Sequence, residues 1–188
     1  MRKIGITGSL ASGKTTASKI LSQRKGPLFS ADDFVKKLYK KKSFKNRVLK
    51  DFRIKSKKNI KALLRNMIIN DISHLHRLER IIHPLVRKEM RVFIKKNKKR
   101  KLLFFEIPLL IESNLTKYFD TIIFIKAKKS TRLKRFKLKG GTKIFFEKLN
   151  KKQLTDSKKI KLSNHVVVNE SNKKVLKNRL LAILNLYE

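Results

Sequence analysis

The 188-residue chain contains no cysteine. That excludes a disulfide framework, a thiol nucleophile and any cysteine-held metal. Long apolar runs are absent as well. The longest, such as Leu102 to Phe105 and Ile122 to Ile125, fall far short of the roughly 20 residues needed to span a bilayer, so no membrane partner is expected. Apolar sequence begins almost directly after Met1, leaving no room for a signal or transit peptide, and a cytoplasmic location is expected. Acidic residues are scarce: 13 Asp and Glu face 51 Lys and Arg, for a formal net charge of +38.

Such a charge raises the question of a polyanionic partner. The bases, however, run from Arg2 to Arg179 and form no single tail or stripe. Of the 51, 38 are lysine, and Asn and Ile are also plentiful, as in chains drawn from A/T-rich codons. No basic motif interleaved with aromatics, suited to stacking bases, is present. A solvated lysine surface is therefore favoured over a nucleic-acid partner. With 40% apolar residues, the chain can bury a core, and its length suits one domain with insertions.

Near the N-terminus, Gly8-Ser9-Leu10-Ala11-Ser12-Gly13-Lys14-Thr15 fits the pattern glycine, four residues, Gly-Lys-Ser/Thr. Ile4 to Ile6 ahead of it reads as a buried strand, and Thr16 to Ser22 behind it as a helix. Gly8 and Gly13 permit backbone angles that let successive N–H groups turn toward one anion, which also meets the positive end of the helix dipole. A chance glycine turn could share the spelling, but not the flanking strand and helix. Leu10 to Thr16 with Gly8 are thus the candidate ATP-binding residues, with Lys14 on the outer phosphates and Thr15 on Mg²⁺.

Further along, Leu28-Phe29 is a very short strand running into Ser30-Ala31-Asp32-Asp33. Those carboxylates suit a helix start. An acid at the carboxyl end of a second parallel strand also suits a base that takes a proton from an attacking hydroxyl. From about Phe44 to Asn97 the apolar period is helical, with an interruption expected at His83-Pro84, where a backbone donor is lost. A stretch this long between strands reads as a helical substrate-binding insertion, about residues 33–99. Leu102 to Phe105 lacks alternation, so a strand buried on both faces is expected, ending in Glu106. Glu106 there is either a solvent-facing end charge or a second oxygen ligand near Mg²⁺; if buried, it needs a partner. Ile122 to Ile125 and His165 to Val168 read as the fourth and fifth strands. Between them, basic helices joined by Gly140-Gly141 read as a lid, about residues 134–158, or as ordinary charged helices.

Several of these separated segments together resemble the dephospho-coenzyme A kinases. The matching pieces are Ile4 to Gly8 leading into the loop, Ser30-Ala31-Asp32, His83-Pro84-Leu85-Val86-Arg87 and Pro108-Leu109-Leu110-Ile111-Glu112. Leu133-Lys134-Arg135, Gln153 and Asn169 add to them. The resemblance implies a three-layer α/β/α P-loop kinase domain over residues 1–188, with a five-stranded parallel sheet, a helical coenzyme-binding insertion and a helical lid. It implies transfer of the γ-phosphoryl of ATP to the ribose 3′-hydroxyl of dephospho-CoA, with Mg²⁺, no permanently bound cofactor, and a monomeric enzyme. By position, Asp32 matches the residue that activates the hydroxyl, and Arg135 a lid residue that neutralises transferring phosphate. Thr7, His83, Arg87 and Pro108 fall on the substrate side. Ser9 stands where the family usually has glycine, and Lys139 where an arginine is common. The segment from about Lys42 to Lys61 is shorter than usual. Another small-metabolite or nucleoside kinase on the same core is the alternative, and a basic nucleic-acid-binding protein a more distant one.

Overall fold

The computed structural model describes residues 1–23, 25–55 and 59–187. They form two compact units, one made of Met1–Ser30 with Ile94–Glu188, the other of Ala31–Phe93.

The first unit is built on five parallel strands: β1 (Arg2–Gly8), β2 (Leu28–Ser30), β3 (Leu102–Glu106), β4 (Thr121–Lys126) and β5 (His165–Val168), in the order β2-β3-β1-β4-β5. Apolar runs without alternation are what a sheet covered on both faces requires. Accordingly every residue of β3 is buried, as are Thr121–Ile125 of β4. The edge strand β5 alternates instead, with Val167 buried between exposed Val166 and Val168. On one face of the sheet, Ile4, Ile6, Phe104, Ile123 and Ile125 pack with Ala17 and Leu21 of α1 (Lys14–Ser22) and with Leu176 and Leu180 of α9 (Lys173–Leu184). On the other, Phe105 meets Phe29 at 6.0 Å and Phe119 at 5.2 Å between ring centroids. Space at Gly5 is tight there: a Cβ would come 2.6 Å from the Leu110 side chain and 3.0 Å from the Phe119 ring.

Three further helices follow β4: α6 (Lys129–Leu138), α7 (Lys143–Lys152) and α8 (Asp156–Lys161). Gly140, at φ +79°, ends α6 in a conformation that disfavours side chains, and the Thr142 hydroxyl caps α7 by accepting from the Phe145 N–H at 3.3 Å. Helix α8 runs past the end, at about residue 158, expected for the basic helices.

The second unit is helical, with α2 (Ala31–Leu38), α3 (Lys42–Asp51), α4 (Ile60–Asn70) and most of α5 (Ser73–Lys96). Leu38, Phe44, Val48, Leu64, Leu78 and Met90 are among its buried residues. Tyr39 packs edge-on against Phe44 at 5.1 Å, and burial raises its phenol above the ordinary range. Ser56 to Lys58, inside the shortened segment, lie outside the described residues. The expected interruption at His83-Pro84 is absent: α5 runs straight through Pro84. Pro84 withholds one N–H, but Leu78 and Ile81 before it and Val86 and Met90 after it are all buried. Burial on both sides outweighs the lost hydrogen bond. Among the described residues, no helix is long and apolar enough to cross a membrane.

Candidate active site

The segment after β1 leaves Gly8 in a tight turn and enters α1 at Lys14. Two residues, Ala11 (φ +59°) and Gly13 (φ +98°), adopt the left-handed conformation. Left-handed positions of this kind let a loop at a helix N-terminus form a concave anion cradle. The cradle is braced: the Ser12 N–H donates to the Ser9 carbonyl at 3.1 Å, and the Ala17 N–H to Gly13. Lys14 is buried, and its ammonium donates to the Gly8 and Ser9 carbonyls at 3.0 and 3.1 Å. Thr15 and Thr16, exposed, open the first turn of α1.

Thr15 donates its hydroxyl to Glu106 Oε1 at 2.5 Å, joining the start of α1 to the end of β3. Glu106 is 1% exposed, so it is no solvent-facing strand end. Its other oxygen, Oε2, is buried with no hydrogen-bond partner among the described residues. A buried carboxylate with one oxygen unmatched fits a cation beside the Thr15 hydroxyl. No group of three or more His, Asp or Glu capable of holding a metal occurs among the described residues. Two hard protein oxygens are a donor set that a hydrated hard cation can use.

The far side of the loop is closed by the region after β5 and by the helices that follow β4. Asn169 Nδ2 donates to the Ser12 carbonyl at 2.8 Å. Arg135 donates to the same carbonyl at 3.2 Å and to the Asn169 carbonyl at 3.0 Å. Arg132 lies deeper, at 5% exposure, donating to Asn150 Oδ1 at 2.7 Å, to the Ala127 carbonyl at 3.2 Å and to the Leu10 carbonyl at 3.5 Å. Burial pulls its guanidinium below the usual arginine range, while the charges of Asp156 and Glu147 pull it back. Gln153 Oε1 accepts the Leu10 N–H at 2.9 Å, and Asp156 Oδ1 accepts the Ser9 hydroxyl at 2.5 Å.

Thr7 is fully buried and donates its hydroxyl to the Pro108 carbonyl at 3.2 Å, so these two lie together at the carboxyl ends of β1 and β3. In the helical unit, Asp32 is exposed in the first turn of α2, two residues beyond Ser30. His83 and Arg87 line an open groove of about 470 Å³ on α5, with His76, Glu79, Arg80 and Pro84.

Sequence reasoning named Gln153 and Asn169 without a task for them and passed over Arg132 and Asp156. One signal for Asp156 was available: a lone acid between Lys151 and Lys161, in a chain with so few acids.

Residues 2–174 match the family model of dephospho-CoA kinases. A dephospho-CoA kinase from Rickettsia typhi is 35% identical over 161 residues, covering 85% of this chain and 84% of the relative. A solved structure of a Thermus thermophilus protein superposes with a TM-score of 0.81 at 23% identity, over 100% of this chain and 98% of that one. The structure of a dephospho-CoA kinase from Campylobacter jejuni gives 0.60 at 20% identity, over 100% and 97%. These likenesses show the fold, an α/β P-loop kinase.

Proposed function

The chain belongs to the dephospho-CoA kinase family, and from that premise we propose how its residues divide the work of phosphorylating dephospho-CoA with ATP. In the reaction, the acceptor's ribose 3′-oxygen forms a bond to the γ-phosphorus while the bond to the β–γ bridging oxygen breaks. Coenzyme A and ADP leave. Little covalent chemistry falls to the protein, so positioning and charge neutralisation carry the rate.

The observation that carries this reading is the Thr15–Glu106 pair beside a loop already folded as an anion cradle. Gly8, Leu10, Ala11, Ser12, Gly13 and Thr16 line the cradle for the ATP phosphates. Lys14 exchanges its two loop carbonyls for β- and γ-phosphate oxygens, which keeps the buried ammonium paired throughout. Thr15 and Glu106 would hold Mg²⁺, Oε2 being the oxygen with most to gain. When bound, the ion would supply positive charge that offsets the charge on the phosphates. Arg135 spends two donors on main-chain carbonyls. A guanidinium has five, so it retains others for the transferring group.

Asp32 orients the 3′-hydroxyl and accepts its proton. Support comes from its place in the chain, two residues after Ser30, whose register partner in β3 is Glu106. The helical stretch 33–99 serves the coenzyme, with His83 and Arg87 contributing cationic and polar groups, and Thr7 and Pro108 line the acceptor side. Residues 134–158 serve as the lid. The enzyme acts as a cytoplasmic monomer, and its lysine surface is solvated.

ADP release measured with dephospho-CoA, nucleoside monophosphates and shikimate as acceptors tests the reading. Turnover is expected with dephospho-CoA and lost in Lys14→Ala. A higher kcat/KM for another acceptor, or no turnover with dephospho-CoA, would overturn it. RNA binding that survives Lys14→Ala and falls steeply with salt would point to the nucleic-acid alternative.

A further inference from the structure

The Ser9 side chain has no place in the loop pattern, which leaves that position open. Here Ser9 is 2% exposed, and its hydroxyl donates to Asp156 Oδ1 at 2.5 Å. The next residue, Leu10, gives its N–H to Gln153 Oε1 at 2.9 Å. Two consecutive loop residues are thus tied to two side chains three positions apart, in the short connection from α7 into α8. Asp156 opens α8, where a carboxylate favourably meets the helix dipole. A residue serving only that purpose would face solvent and would not sit against a buried serine hydroxyl.

Helix α8 is itself anchored. Lys159, fully buried, lies 2.7 Å from Glu112 Oε1 as an ion pair, although the angles do not make a hydrogen bond. Glu112, which follows β3, also accepts the Leu154 N–H at 3.3 Å. A charge pair in this setting is costly to break, because either partner alone would be left uncompensated. The connection 153–156 therefore has a fixed footing on the sheet side of the molecule, from which it can hold the loop.

We infer that Asp156 is a positioning residue for nucleotide binding: through Ser9, and beside the Gln153–Leu10 contact, it holds the first half of the phosphate loop in its binding shape before the nucleotide arrives. The inference rests on the loop being the ATP site. A preshaped loop does not spend binding energy on ordering itself, so loss of the tie appears in nucleotide affinity. It also places a limit on lid movement. A lid movement that carried Gln153 or Asp156 away from the loop would have to break these contacts.

The test is a double-mutant cycle on the full chain: Ser9→Ala, Asp156→Ala and the pair. It is read by calorimetric ADP binding and by KM for ATP and for dephospho-CoA. Each single variant is expected to weaken ADP and raise KM for ATP about tenfold, the scale of one charge-assisted hydrogen bond. KM for dephospho-CoA is expected to stay within twofold. The double variant should be no worse than the poorer single one, and Asp156→Asn, which keeps an acceptor oxygen, should recover most of the loss. Unchanged ADP affinity in Ser9→Ala, losses that multiply in the pair, or a lowered melting temperature with unchanged affinity would each overturn the inference. If Asp156→Ala fails to fold, Ser9→Ala carries the same test. Failure of the wild-type chain to bind ADP would instead refute the ATP-site reading beneath it.

Discussion

Replacing Gly13 by alanine separates the two demands made on the phosphate loop. At φ +98° an L side chain is strained, at about 1–2 kcal/mol. The new Cβ would also stand 2.1 Å from Asn169 Nδ2. Asn169 must move, and its 2.8 Å hydrogen bond to the Ser12 carbonyl breaks, at about 1 kcal/mol. The sum, about 2–3 kcal/mol, corresponds to a fall of about 5–10 °C in melting temperature for a chain of this size. Gly140→Ala is the control, since Gly140 also has positive φ (+79°) but an added Cβ there meets nothing within 4 Å. It carries only the backbone cost, and its ADP affinity should be normal. Differential scanning calorimetry and ADP titration of the two variants decide the matter. Equal melting temperatures for Gly13→Ala and Gly140→Ala, or ADP binding undiminished in Gly13→Ala, would refute the role given to the Asn169 contact.

Other substitutions probe the remaining parts. Asp32→Asn should lower kcat by about a hundredfold or more with KM values within threefold, as removal of a general base does; near-normal kcat at saturating substrates would dismiss Asp32 as the base. Glu106→Gln should raise the Mg²⁺ concentration needed for half-maximal rate at least about tenfold, and an unchanged Mg²⁺ titration would remove Glu106 from the metal site. Lys159→Met should cost about 3 kcal/mol by leaving Glu112 unpaired, whereas Glu112→Leu with Lys159→Met should regain much of it. Thermal melts that rank the double variant below the single one would contradict that account of the buried pair.

The sequence was most readable where one short segment carries its own physical reason. The glycine spacing around Lys14 and the unalternating strand Leu102 to Phe105 are local: each depends on residues within a few positions. Pro84 shows the limit of such rules. A local rule predicts a break, and α5 continues because Ile81 and Val86 are buried on either side, a fact belonging to packing.

What the chain decided by itself is the kind of site: a phosphate cradle, an acid at each of two strand ends, and a helical insertion between them. Only the tertiary structure decided the partners. Thr15 meets Glu106 across 91 residues, Ser9 meets Asp156 across 147, and Asn169 reaches Ser12 across 157. No periodicity or spacing encodes contacts so distant, because they arise when a parallel sheet brings the carboxyl ends of its strands to one edge. The same lysine-rich stretch that reads as uniform charge in the sequence thus holds, in the fold, the carboxylate that ties helix α8 to the loop.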